Sequence, residues 1–252
     1  MQCCAFFEAE DQVLIGLETG DVVIWSISSG QKIKTMQCSK EKISCLRVIV
    51  DKKFLLVAAQ SNLSVWKISQ SKLLSTKASA HTDTINEILF LRHAGEECFA
   101  TASDDKTIKI WSLADYSIIM EFQESHCISS LQYIPQPINA LAVSIWGEQP
   151  NGYVSFWSLA DIKRVHTARQ KKDGITKIRY FPDSKLLACA IDNGMLEIYA
   201  ISPNKKWWIS LLLFCFCLHI NKTRILLFFY KIEIALSLTR KKSIWKYVSK
   251  LI

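Results

Sequence analysis

The chain has 252 residues, half of them hydrophobic, and a formal net charge of +8, which is enough length and apolar content for one large domain or two small ones. The charge is uneven, because residues 1–203 carry 21 Lys and Arg against 22 Asp and Glu, whereas residues 204–252 carry 10 against one. The near-neutral larger part excludes a general electrostatic attraction to nucleic acid.

The nine cysteines are scattered through apolar stretches and include no C-x₂-C pair. This pattern argues against a zinc site and indicates free thiols in a reducing compartment. The segment from Met1 to Asp11 has no basic region and meets acids at once, so it does not resemble a signal peptide. We therefore expect a cytoplasmic protein without a metal or other cofactor.

In chain order, five short apolar segments end in an aromatic residue. They are "DVVIWSI", "NLSVWKI", "KTIKIWSL", "GYVSFWSL" and "GMLEIYAI", with the aromatics Trp25, Trp66, Trp111, Trp157 and Tyr199. Spacings of 41, 45, 46 and 42 residues separate these aromatics. Their polar and apolar residues alternate with the period of a β-strand. We therefore divide residues 1–203 into repeated units at about 2–38, 42–78, 81–123, 126–168 and 173–203.

Each unit has room for four strands. In the third unit they are "TINEILFL", "CFATAS", "TIKIWS" and "SIIMEFQ", and the breaks between them are "RHAGEE", "DDK" and "LADY". These breaks are rich in turn-forming residues. Four antiparallel strands in 41–46 residues, repeated along the chain, are typical of a β-propeller blade. The sequence therefore predicts an all-β propeller of about five four-stranded blades, either a small ring or an incomplete propeller.

The segment "HTDTINEILFLRHAGEECFATASDDKTIKIWSL" resembles the WD-repeat family, and "YFPDSKLLACAIDNGMLEIYAI" is similar to the strand–turn–strand part of that pattern. The resemblance covers roughly residues 3–203. It implies a β-propeller that binds other proteins. The Asp that follows the family's Trp is absent from every unit, so the repeats are divergent. The fifth unit and its "AISPNKKW" exit are also similar to propellers of the echinoderm microtubule-associated family, which implies a cytoskeletal alternative.

The resemblance implies a hydrogen-bonded network within the third unit, formed by His81, Ser103, Asp105 and Trp111. A buried indole N–H needs an acceptor, and a histidine can bond a hydroxyl and a carboxylate at once. A catalytic Ser–His–Asp triad is the alternative. No nucleophile elbow or Gly-rich oxyanion loop accompanies Ser103, so we expect a structural role.

The segment "GEQPNG" is longer than the equivalent turns of the other units, which have two to four residues. In a propeller this turn lies on one rim. Its residues and the preceding tryptophan are candidates for a partner-binding site: Trp146, Glu148, Gln149 and Asn151. A tolerated surface insertion is the alternative.

These features predict a non-catalytic scaffold that displays loops to protein partners, without nucleic acid and without a cofactor. An enzyme that uses the central channel of the propeller is the main alternative. It would require polar side chains that converge on the channel, and the sequence identifies none. A microtubule-binding or membrane-tethered propeller is the other alternative.

Residues 204–252 form a hydrophobic and basic tail without Gly, Pro, Asp or Gln. Three interpretations remain open: a membrane span, further propeller strands beginning with "WISLLLFCF", or a foreign segment from translation through an intron or past a frame change. The run from Trp207 to Ile220 has 14 residues and would span only about 21 Å of a core of roughly 30 Å. We therefore expect a non-propeller tail, and we do not favour membrane association.

Overall fold

A computed structural model describes residues 3–146, 152–169, 173–202 and 208–214. The described part consists of twenty β-strands and one 3-10 helix, Glu8–Glu10. No helix among these residues is long and apolar enough to cross a membrane.

The strands form five sheets of four. The first contains β1 (Cys3–Phe7), β2 (Gln12–Gly16), β3 (Asp21–Ser26) and β4 (Lys32–Gln37). The second contains β5 (Ile43–Ile49), β6 (Phe54–Ala59), β7 (Asn62–Lys67) and β8 (Lys72–Lys77). The third contains β9 (Ile85–His93), β10 (Glu96–Ser103), β11 (Thr107–Ser112) and β12 (Ile118–Gln123). The fourth contains β13 (Cys127–Ile134), β14 (Ala140–Trp146), β15 (Tyr153–Ser158) and β16 (Lys163–Arg169). The fifth contains β17 (Ile175–Phe181), β18 (Leu186–Ile191), β19 (Leu196–Ser202) and β20 (Trp208–Phe214).

Each sheet is an antiparallel meander whose strands lie in chain order. Neighbouring sheets meet through their first strands, so β1, β5, β9, β13 and β17 lie innermost and each sheet is one blade of a propeller. We call one side of the disc the first rim. It holds the turns between second and third strands and the connections between blades. The remaining turns form the second rim.

The burial patterns explain why these segments are strands. The third strands alternate, so that β3 and β7 bury every second residue at their start. The second strands β6 and β14 are buried almost throughout, because blades pack on both of their faces. The fourth strands β4 and β12 are mostly exposed at the circumference.

The core lies between the blades. Leu14 and Ile24 of the first blade pack with Leu55 and Val57 of the second. Each of the next two interfaces holds an equivalent apolar cluster. A fully buried Leu or Ile contributes about 1.5–3 kcal/mol relative to an exposed one. The stability of each blade therefore depends on its neighbours, as in other repeat proteins.

Blades two to five have a bulge near the start of their first strands. The sheet register shifts at this point and leaves one residue unpaired, at Ser44, Asn86, Ser129 and Thr176. The Asn86 amide donates to the carbonyl of Ile128, 2.9 Å away, and the Ser129 hydroxyl donates to the carbonyl of Ile175. These two bonds connect successive blades.

The predicted all-β propeller with about five four-stranded blades is confirmed. The predicted boundary at residue 203 leaves out one strand, because β20 (Trp208–Phe214) pairs with β19 (Leu196–Ser202) and completes the fifth blade. Residues 208–214 therefore form a further propeller strand, which was one of the three interpretations of the tail. Residues 215–252 lie outside the described part, so the nature of the remaining tail stays a prediction.

Candidate functional site

Four places in the described structure gather side chains that bear on function. They are the hydrogen-bonded networks of the third and fourth blades, the first rim beside Trp146, and a polar cluster where the first strands converge.

The network of the third blade surrounds His81, whose side chain is fully buried. His81 Nδ1 lies 2.9 Å from Asp105 Oδ2 and 3.0 Å from Thr107 Oγ1. His81 Nε2 lies 2.6 Å from Thr101 Oγ1, and the indole of Trp111 donates to the same oxygen over 2.9 Å. Three of the four residues named from the sequence, His81, Asp105 and Trp111, thus lie together in the structure.

The predicted role of Ser103 is wrong, because Thr101 takes the place beside His81. The Ser103 hydroxyl donates to the carbonyl of Asp83 over 3.1 Å and accepts the backbone N–H of Asp105 over 3.1 Å. Ser103 therefore holds the turn between β10 and β11. The alternative of a Ser–His–Asp triad therefore fails, because the Ser103 hydroxyl bonds backbone groups of the turn and not His81.

The bonds determine which nitrogen of His81 carries the proton. Asp105 is ionised and can only accept, so neutral His81 carries its proton at Nδ1 and donates to Asp105. His81 Nε2 then accepts the hydroxyl hydrogen of Thr101, which itself accepts from the indole of Trp111. This arrangement satisfies the buried ring in its neutral form.

The electrostatics agree with a structural role. Burial lowers the pKa of His81, against the opposing effect of Asp105. Burial acts to raise the pKa of Asp105, but hydrogen bonds from Thr107 and from the backbone N–H of Thr82 outweigh it and hold the pKa at about 2. A neutral, buried histidine beside an ionised carboxylate stabilises the blade and has no access to a substrate.

The fourth blade uses a glutamate where the third uses a histidine. Glu124 and His81 each lie four residues before the first paired isoleucine of their blade. Glu124 is buried and accepts from the indole of Trp157 and from the hydroxyls of Ser155 and Tyr153. The sequence analysis did not identify Glu124. The position relative to Ile128 would have identified it.

Trp146 ends β14 at the first rim and is 48% exposed. Its indole lies directly over Gly174 in the connection to the fifth blade, where a Cβ atom would overlap the ring. The indole can therefore pack at this position only because Gly174 has no side chain. The other predicted rim residues, Glu148, Gln149 and Asn151, lie outside the described residues, so their role stays a prediction.

A polar cluster lies where the first strands converge. It contains one first-strand residue from each blade. Each of these residues pairs with a second-strand residue, and that residue pairs in turn with the third-strand residue three positions before the repeated aromatic residue. We call these residues the central cluster: Cys3, Cys45, Glu87, Ser130 and Lys177. Lys177 forms an ion pair with Glu87, which also accepts from Ser130 over 3.0 Å. Sequence reasoning missed this cluster.

The chemistry of the central cluster is that of a satisfied polar core. Burial acts to lower the pKa of Lys177, but the adjacent Glu87 carboxylate outweighs it and the pKa is raised. Burial raises the pKa of Cys45 to about 12 and also raises that of Cys3. Lys177 therefore remains an ammonium ion and both sulfurs remain thiols, so none of the three is an activated nucleophile at neutral pH.

The seven described cysteines are all free thiols. Within residues 3–146, 152–169, 173–202 and 208–214, no group of three or more His, Cys, Asp or Glu side chains could hold a metal ion.

Comparison with known proteins agrees with this architecture. The family model "WD domain, G-beta repeat" matches residues 72–112. The target of rapamycin complex subunit wat1 of Schizosaccharomyces pombe is 23% identical over 177 residues, which cover 69% of this chain and 54% of that protein. The serine-threonine kinase receptor-associated protein of Homo sapiens is 24% identical over 114 residues, which cover 45% of this chain and 31% of that protein.

A chain in the crystal structure of the mitotic checkpoint complex has the same fold, with a TM-score of 0.71 and 17% sequence identity. The superposition covers 86% of this chain and 64% of that chain. The resemblance of this chain to WD-repeat β-propellers is thus supported by the matched repeat, the relatives and the shared fold. It spans 54% of the length of wat1 and 22% of the Arabidopsis thaliana transcriptional corepressor LEUNIG_HOMOLOG, to which it is 23% identical.

Proposed function

We propose that this protein is a non-catalytic scaffold that binds other proteins at its first rim, with Trp146 as the anchor. The observation that carries the proposal is the position of this tryptophan. It is 48% exposed on a rigid strand end, and Gly174 supports its ring from below. Tryptophans in such positions contribute strongly to protein–protein binding.

The surroundings of Trp146 support the same proposal. Tyr153 follows the turn and shares a hydrogen bond of 2.7 Å with Ser125, whose hydroxyl also lies 2.8 Å from His126 Nδ1. A rim that combines an exposed aromatic ring with adaptable polar groups is typical of a protein-binding surface. One relative, wat1, is itself a subunit of a complex, which supports a place in a multiprotein assembly.

The proposal is tested by chemical cross-linking of the full chain to its partners in cell extract, followed by mass spectrometry. We expect Trp146→Ala to lose partners that the wild type captures. Ile162→Ala is the matched control, because Ile162 is 53% exposed at the second rim. Capture of the same proteins by all three chains would contradict a binding site at Trp146.

Catalysis at the central cluster is the second candidate, because Glu87, Ser130 and Lys177 are the converging polar groups that an enzyme would require. We place it second, since the ion pair and the hydrogen bond already satisfy these groups. Substrate turnover that survives Ser103→Ala but is abolished by Lys177→Met would establish it.

Microtubule binding and a cytoplasmic location stay predictions. Co-sedimentation of the full chain with assembled tubulin tests the first, and a protein that remains in the supernatant would exclude it. Microscopy of the tagged full chain tests the second. Membrane association through the tail is tested by washing membranes with high salt and then with alkaline carbonate.

A further inference from the structure

The fifth blade has an apolar face that no other described blade covers. On this face Ala188 pairs with Ile198, and the equivalent pair of the third blade, Ala100 and Ile110, packs against the fourth blade. The first blade does not close the ring here, because β1 packs against β5 and no comparable packing joins β1 to β17 among the described strands. The apolar cluster on this face therefore consists of fifth-blade residues: Phe181, Leu186, Ala188, Ala190, Leu196 and Ile198.

The repeat in the sequence continues past the fifth blade. An isoleucine lies at or next to the start of the first strand in blades two to five, at spacings of 42, 43 and 47 residues: Ile43, Ile85, Ile128 and Ile175. Ile220 follows 45 residues after Ile175, and "INKTRIL" resembles "ITKIRYF" of β17, with Thr223 in place of an apolar residue. Ile220 also lies six residues after the end of β20, and the earlier connections need five to eight.

The repeated aromatic residue recurs at the expected distance. Trp245 follows Tyr199 by 46 residues, and the earlier aromatics are 41–46 residues apart. The segment "EIALSLTRKKSIWK", residues 233–246, aligns without a gap to "FLLVAAQSNLSVWK", residues 54–67 of the second blade. Both segments place a Trp-Lys pair after the same number of residues, so the second and third strands of a blade have counterparts here.

The alignment also assigns a face to each residue. In the second blade, three residues of β6 pack toward the first blade, namely Leu55, Val57 and Ala59. Their counterparts Ile234, Leu236 and Leu238 are all large and apolar. Ser237 and Lys242 are counterparts of residues that pack toward the third blade. The segment therefore has an apolar face for the blade that precedes it and a more polar opposite face, an asymmetry typical of capping units in repeat proteins.

We propose that residues 220–246 form the first three strands of a sixth blade, which packs on the apolar face of the fifth. Its strands are residues 220–226, 233–238 and 241–246. Because this segment lies outside the described part, its sequence and the face of the fifth blade carry the proposal, which replaces the expectation of a non-propeller tail. Lys222 then takes the first-strand position of Lys177. The inference does not depend on binding at Trp146.

The test is amide hydrogen exchange of the full chain, followed by mass spectrometry. We expect residues 233–238 to exchange at least about 100-fold more slowly than an unstructured peptide, because a strand between two others has its amides bonded. Leu236→Asp places a charge between the blades and should speed exchange in β18 (Leu186–Ile191) about tenfold. Ser237→Asp is the matched control on the opposite face and should change this exchange less than about twofold.

If Leu236→Asp does not fold, Leu236→Ala and Ser237→Ala form a milder pair, with an expected threefold difference in the same exchange. Unprotected amides at residues 233–238 would overturn the inference, and so would equal effects of the two variants. Sedimentation velocity tests a second copy of the chain as the cover. A dimer whose dissociation on dilution removes the protection would show that the partner chain, and not residues 220–246, packs on the fifth blade.

Discussion

The hydroxyl group of Thr101 connects two blade residues that the sequence places far from each other. It donates to His81, which lies before the first strand of the blade, and accepts from Trp111 in the third strand. All three side chains are buried. Removal of this one hydroxyl would therefore leave both an imidazole nitrogen and an indole N–H without partners.

We predict that Thr101→Val destabilises the protein by about 2–4 kcal/mol, because two buried polar groups lose their partners. Ser103→Ala should cost only about 1 kcal/mol, since Ser103 bonds backbone groups of a turn. Urea unfolding of the two variants measures both values. A larger loss of stability for Ser103→Ala than for Thr101→Val would mean that Ser103, as the sequence predicted, is the more important hydroxyl.

The network also predicts a dependence of stability on pH. The pKa of His81 is lowered in the folded state from its ordinary 6.5, so the unfolded chain binds more protons and acid favours unfolding. This contribution is complete above pH 6.5 and is lost as the pH falls below it. The lowered pKa of Asp105 adds a second loss between pH 3.8 and about 2.

We therefore expect the free energy of unfolding to fall between pH 7 and pH 5, and to fall less in His81→Gln, which cannot take up the proton. Urea unfolding at a series of pH values measures this slope. A variant with the same slope as the wild type would show that other groups cause the dependence.

The choice between Thr101 and Ser103 could not be predicted from their spacing. Residues two apart in a strand point to the same face, so both hydroxyls were candidates. The sheet register shifts between Ala102 and Ser103, opposite the bulge at Asn86. That shift directs Ser103 to the turn. A bulge depends on pairing between strands, and a single strand carries no pattern that reveals it.

At the scale of the strand, the bulges of the first strands have two different roles. The hydroxyls of Ser44 and Thr176 donate to carbonyls of their own blades, at Ala58 and Ala190. Asn86 and Ser129 bond Asp104 and Ser144 of their own blades and also reach the first isoleucine of the next blade. The same local irregularity thus serves one sheet in two blades, and both the sheet and the junction in the other two.

Ser129 and Ser44 form a matched pair for testing this difference. We predict that Ser129→Ala destabilises the protein by about 1–2 kcal/mol, because it removes a bond between blades, and that Ser44→Ala changes stability by less than about 0.5 kcal/mol. Urea unfolding measures both. Equal losses of stability in the two variants would mean that the bond of Ser129 to the fifth blade stabilises the protein no more than the bond of Ser44 within its own blade.

Alternation and turn residues predicted the individual strands well. The segment "TIKIWS" is β11 (Thr107–Ser112), and "SIIMEFQ" differs from β12 (Ile118–Gln123) by one residue. The central cluster was not predictable in this way. Its members are spread from Cys3 to Lys177, and only the strand pairing shows that they occupy equivalent positions.

At the scale of the whole molecule, the ion pair between Glu87 and Lys177 links the third blade to the fifth and so passes over the fourth. The apolar clusters connect each blade with the next. The ion pair therefore adds a direct connection between two blades that are otherwise joined only through the fourth blade.

We predict that Lys177→Met destabilises the protein by about 3 kcal/mol, because it leaves the Glu87 carboxylate largely buried without its cation. The double variant Glu87→Leu/Lys177→Met should recover most of this loss, since neither side chain then carries a charge. Thermal and urea unfolding of both variants measure the coupling. A double variant as unstable as the single one would show that packing, and not charge, is responsible.

The distance of 90 residues between these partners has a consequence for synthesis. A ribosome adds about 5–20 residues per second, so Glu87 emerges roughly 5–20 s before Lys177. During that interval the nascent third and fourth blades can pack together, but the carboxylate lacks its cation. The first four blades can thus join through their apolar clusters, but the third blade gains its ion pair only after the fifth has been made.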